Sequence, residues 1–151
     1  MTYRLVEDAV IDQLVLVPGL SSKAVSRGDF KVLSTGPTKA AVTLYAGVAT
    51  AELRFGGDLQ YTWSIALSLC TKYQKSDDAL HSDAADLRQA VLDRFAKYRQ
   101  LDNESGVFDS MITSGQSDLD SLVNFQVGTH KYHKEMLLLT VREEVEYDVA
   151  D

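Results

Sequence analysis

"LQYTWSIALSLCTKY", residues 59–73, reads as two interleaved sets. The odd positions are Leu59, Tyr61, Trp63, Ile65, Leu67, Leu69, Thr71 and Tyr73. The even positions between them are Gln60, Thr62, Ser64, Ala66, Ser68, Cys70 and Lys72. One set is oily and aromatic, the other small and mostly polar. In a strand, successive side chains point to opposite faces, so this alternation predicts a two-faced strand. The β-branched and aromatic content agrees. The stretch is long against the ~5–6 residues of an ordinary strand. Its odd face must cover a core, and its even face suits solvent or another protein surface.

Working outward, a helix follows the strand. "SDDALHSDAADLRQAVLDRFAKYR", residues 76–99, sets Leu80, Ala84, Leu87, Val91, Phe95 and Tyr98 on one stripe. Asp77, Asp78, Asp83 and Asp86 come early and Arg94, Lys97 and Arg99 late, as the helix dipole favours. Ser76 and Ser82 are both possible caps. Before the strand, residues 3–17 carry Leu5, Val6, Ala9, Val10, Gln13, Leu14 and Val17 at helical steps. "VPG", residues 17–19, ends that helix. "LSSKAVSRGD" reads as loop; "FKVLSTG" (30–36) and "AAVTLYAG" (40–47) read as short strands, and "VATAELRF" (48–55) extends them or forms another. Beyond the second helix, "GVFDSMIT" (106–113) reads as a strand, and "MLLLTVREEVEYDV" (136–149) as a second long two-faced one. Glu143 is the one charge on its apolar side. Strands grouped rather than alternating with helices predict an α+β fold: a mostly antiparallel β-sheet with two helices (about 3–17 and 77–99) packed on one face. The chain reads as a single domain, 1–151, with a protruding loop or hairpin over 115–133.

Composition bounds the function. The 151 residues carry 15 basic and 22 acidic side chains, a formal charge of −7. There is no dense basic cluster of the kind that grips phosphates, so sequence-independent nucleic-acid binding is a poor fit. No apolar run reaches the ~18 residues of a membrane helix. No basic segment followed by an apolar core marks a secretory signal. The single cysteine, Cys70, permits no internal disulfide.

No catalytic pattern rises above background. "HKYH", residues 130–133, would place its histidines on opposite faces of a strand, or on a helix let them share a metal; no Cys or carboxylate run stands nearby at ligand spacing, and loop histidines are the plainer expectation. Cys70 has no base beside it and reads as a structural thiol. "STGPTK", residues 34–39, lacks phosphate-loop spacing. Asp118 and Asp120 lack the fuller acidic spacing of a calcium loop. Asp58, Asp109 and Glu143 could meet in space as acid and base. The expectation is therefore a non-enzyme with no cofactor and no metal.

The ordered layout carries a resemblance. A helix "YRLVEDAVIDQLV", a turn region "VLSTGPTKAAVTLYAG" and the long strand "YTWSIALSLCTKY" are followed by the helix "LRQAVLDRFAKYRQL", the short strand "GVFDSMITSG" and a closing strand "HKEMLLLTVREEVEYDV". This arrangement, over nearly the whole chain, resembles the tail terminator (tail-to-head joining, or neck) proteins of long-tailed bacteriophages. The resemblance implies a homo-hexameric ring that caps the tail tube and joins it to the head connector, with DNA passing through its lumen. The implied partners are the tail tube protein and the connector; no membrane is involved. The implied location is the virion, with assembly in the host cytoplasm. On that reading Glu144, Glu146 and Asp148 face the lumen, or else form a solvated face. Asp118, Asp120, Asn124 and Phe125 belong to a loop reaching a neighbouring ring or subunit. Thr62, Ser64 and Ser68 lie on a strand facing the next subunit. Two rivals stand beside it: a portal-side neck adaptor, and a small α+β ligand-binding or enzyme domain with a pocket lined by Tyr61, Trp63 and Tyr147.

Overall fold

The structure is a computed structural model, and it describes residues 3–28, 40–45, 47–53, 58–101, 107–115, 123–127 and 130–145. Two helices, α1 (Tyr3–Leu14) and α2 (Asp77–Lys97), join seven strands: β1 (Val25–Arg27), β2 (Ala40–Leu44), β3 (Val48–Leu53), β4 (Leu59–Lys72), β5 (Val107–Gly115), β6 (Val123–Val127) and β7 (His130–Val145). All seven strands form one sheet. Its axis is the antiparallel pair β4–β7, in register from Leu59↔Val145 to Lys72↔Tyr132. β2 and β3 share the other side of β4: β2 takes Leu67–Thr71 and β3 takes Leu59–Ser64. β5 and β6 share the far side of β7 in the same manner. Only β1–β2 is parallel among these pairs.

Both helices lie on the odd face of β4, as the alternation requires. Ile65, Leu67 and Leu69 of β4 and Leu137, Leu139 and Val141 of β7 pack in one cluster with Val6, Val10 and Leu14 of α1 and Leu87, Val91 and Phe95 of α2. Polar ties fix the layers. Arg94 of α2 donates through Nε to Gln13 Oε1 of α1 at 2.8 Å, and Arg88 pairs with the buried Glu135 of β7 at 3.1 Å. Beyond α2, Arg99 grips Asp109 of β5 with Nε and Nη2 at 2.8 and 3.0 Å. Such two-pronged guanidinium–carboxylate pairs fix orientation as well as charge.

Several expectations are corrected, and alternatives left open are decided. The first helix ends at Leu14; Leu16 and Val17 close tighter turns onto Gln13 and Leu14 before Pro18. Leu5 lies off the buried stripe at 53% exposure. Ser76 caps α2, its Oγ accepting from the Ala79 N–H at 3.0 Å. The segment read as loop holds β1, whose Arg27 pairs with Glu7 at 2.6 Å and with Asp8. β3 is a separate strand rather than an extension of β2. The expected strand at 30–36 lies outside the described residues. β7 begins at His130, six residues earlier than its hydrophobic pattern, because β6 pairs with residues 130–134 on one side and β4 with 132–135 on the other.

The even face of β4 also departs from expectation. It is open only in its middle, at Thr62, Ser64 and Ala66. Ser68 and Cys70 are 1% and 2% exposed. Ser68 stands in register between Thr43 of β2 and Met136 of β7, and Cys70 between Ala41 and Lys134. Both sit where β4 has strands on either side, and on the β7 side their neighbours Met136 and Lys134 are long. Burial pushes the Cys70 thiol up to about 12, against a smaller opposing pull from Lys134. A thiol reagent at neutral pH should therefore leave Cys70 unmodified in the folded protein and titrate one equivalent after denaturation. Fast labelling without denaturant would show that this end of the face opens.

Candidate functional site

The histidines of "HKYH" belong to β7 and not to a loop. His133 pairs in the ladder with Thr71 and with Asn124. Its face is the one α2 covers, near Glu135, His81 and Arg88. Burial holds the His133 imidazole below its ordinary 6.5; His81 and Arg88 push the same way and Glu135 opposes them. The unfolded chain therefore takes up this proton first as pH falls. His133 contributes no penalty above about 6.5 and destabilises the fold increasingly as pH drops from there towards its folded value. Denaturant melts between pH 7.5 and 5 should show this loss, and His133→Gln should flatten it. An unchanged pH profile in that variant would place the titration elsewhere.

Among the described residues no group of three His, Cys, Asp or Glu side chains is arranged to hold a metal ion. The three carboxylates weighed as an acid/base set are not brought together as one. Asp109 is held by Arg99. Glu143 is fully buried, and its Oε1 accepts from the Trp63 indole N–H at 3.0 Å. That bond explains a charge on the apolar side of β7, which sequence alone could not rationalise. Trp63 stacks on Tyr61 at 5.6 Å and meets Tyr3 of α1 at 5.0 Å between ring centroids. Tyr3 in turn accepts the Gly47 N–H at 2.7 Å. These aromatics anchor α1 to the β3–β4 end of the sheet, and Tyr147 lies outside the described residues.

A groove of about 580 Å³ runs between α2 and the turn after α1, lined by Pro18, Ala24, Leu87 and Ala90, with Asp83 and Asp86 among its polar residues. A smaller one of about 290 Å³ lies between α2 and β5, lined by Leu92, Ala96, Met111 and Ile112, with Asp93 and Arg99. Neither takes in Tyr61 or Trp63 among its described lining residues.

Of the residues expected at interfaces, Thr62 and Ser64 are half-buried on the helix-free face, and Ser68 on that face is covered within the protomer. Glu144 is exposed on the same face, in register with Gln60. Arg142, also exposed there, stands in register with Thr62 and offsets part of its charge. Lumen-facing and subunit-facing candidates thus share one face. Asn124 and Phe125 lie in β6, opposite His133 and Tyr132. Asp118, Asp120, Glu146 and Asp148 lie outside the described residues. Sequence reasoning missed the two sheet edges: β3 is exposed along all six residues, with Val48 and Leu53 each 72% exposed, and β5 exposes Met111 at 40%.

The fold matches a chain from the virion of a native gene transfer agent (GTA) particle, with a TM-score of 0.57 over 92% of this chain and 94% of that one. The two sequences are 13% identical, so the likeness is one of fold. No family model matches the chain, and no curated protein does. Among the described residues no helix is long and apolar enough to cross a membrane.

Proposed function

We propose that this protein is a structural virion component that caps a phage tail tube as a homo-hexameric ring and joins it to the head connector. The observation that carries the reading is the near end-to-end fold likeness to a chain from the virion of a gene transfer agent particle. It is supported by the asymmetry of the protomer. Helices on one face make a wedge, so copies joined side by side would set the helices outside and the bare sheet face inside. That inner face carries Thr62, Ser64 and Glu144. Arg142 and Glu144 stand close together on that face and largely cancel, so a wall of small polar side chains with little net positive charge gives DNA little to adhere to. The ring's partners are the tail tube protein and the connector, its place is the virion neck, and it assembles in the host cytoplasm. The role requires no catalysis and no cofactor.

Light scattering of the purified protein, with negative-stain imaging, tests the reading. The expected species is a ring with a central hole at six times the 16.7 kDa monomer mass, which binds purified tail tubes. A protein that neither forms rings nor binds tubes would overturn it.

A further inference from the structure

The ring reading leaves open how one copy meets the next, and the following inference rests on that reading. Rows run across the sheet through four strands at one level. Val48 of β3 stands beside Ser64, then Thr140, then Met111 of β5. The next row is Ala49, Trp63, Val141 and Ser110, followed by Thr50, Thr62, Arg142 and Asp109. β3 and β5 are thus opposite edges of one four-stranded block, at the same height. Among the described residues neither carries a strand on its outer side. Each neighbouring pair in the block is antiparallel, so β3 and β5 run in opposite directions. A second copy rotated about an axis along the sheet, without being flipped, therefore offers its β3 antiparallel to the first copy's β5. Helix face then continues into helix face.

We infer that the exposed edge of β3 pairs with the β5 edge of a second copy of this chain, head to tail. In the register that continues the rows, Val48 of one copy stands beside Met111 of the next. These are two of the exposed large apolar side chains of the protomer, at 72% and 40%. An exposed apolar edge is otherwise a liability that proteins blunt with charges or proline, and β3 carries only Glu52. A contact between two different edges is heterologous and closes into a ring if its rotation allows.

Cysteine pairing tests this directly. Neighbouring strand positions lie about 4.5–5.5 Å apart at Cα, within disulfide reach. Cys70, at 2% exposure, does not compete. The double variant Val48→Cys, Met111→Cys should give on oxidation a covalent ladder at multiples of 16.7 kDa. Each single variant should stay monomeric on a denaturing gel. Thr50→Cys with Met111→Cys serves as a second pair that captures a slip of two residues. Dimers from Val48→Cys alone would mean β3 pairs with itself, and no ladder from either double variant would mean the edges do not meet; both overturn the inference. A ladder that closes at six copies supports edge pairing and ring alike. One that closes elsewhere or never closes keeps the edge pairing and overturns the hexamer.

Discussion

Phe95→Ala is expected to cost the fold about 3–5 kcal/mol, the range for deleting a buried aromatic ring and leaving a cavity. Phe95 is fully buried on α2 and belongs to the cluster that joins both helices to β4 and β7. It sits one turn beyond Val91 and next to Arg94, whose guanidinium ties α2 to Gln13 of α1. Removing the ring loosens the side of α2 where the two helices meet. A domain of this size is stable by about 5–15 kcal/mol, so the loss is a substantial share of the total. Urea melts should show a midpoint lowered by about 3–5 kcal/mol divided by the slope, with the slope itself unchanged. Leu92→Ala, on the half-buried side of the same helix, serves as the control and should move the midpoint far less. Equal losses from the two would mean that α2 does not seat on the sheet through the stripe containing Phe95.

That stripe was legible in the sequence for a physical reason. α2, β4 and β7 are long, and over many residues a period of 3.6 or of 2 stands out from chance. β1 was not legible, because three residues carry no period and its pairing with Val42–Leu44 is a tertiary fact. The start of β7 was hidden for a related reason. His130–Glu135 is polar apart from Tyr132, and it is strand because β4 and β6 lie on either side of it. The helix cap was ambiguous, since both serines precede helix-forming residues; the Ser76 hydrogen bond decides it. Residue pairs across strands were out of reach altogether. Trp63 and Glu143 lie 80 residues apart, and only register brings the indole to the carboxylate. The same holds for the edges. Nothing in "VATAEL" says that it borders the sheet or stands level with Met111, so the surface that the ring reading needs came from topology and not from sequence.

Topology also sharpens the expected role of the 115–133 excursion. β5 and β6 run one after the other along the same side of β7, in the same direction. The ladder leaves β7 with Gly115 opposite Leu137 and resumes with Val123 opposite Lys134. Only Glu135 and Met136 separate those two positions, a distance that about two or three extended residues would span. Residues 116–122 are seven, so the chain spends more length here than the sheet requires. Removing the whole of 116–127 would strip β6 from β7 and damage the fold. Replacing 116–122 with Gly-Asn-Gly should instead keep both ladders and shift the melting midpoint little. On the proposed function, the surplus residues, with Asp118 and Asp120 among them, reach the neighbouring ring. The shortened protein should then still form rings, yet fail to complete tails, and infectious particles should fall to background in a complementation assay. Normal particle yield from a stably folded variant would show that the surplus serves no contact in assembly. Loss of rings along with loss of particles would place those residues at the subunit boundary instead.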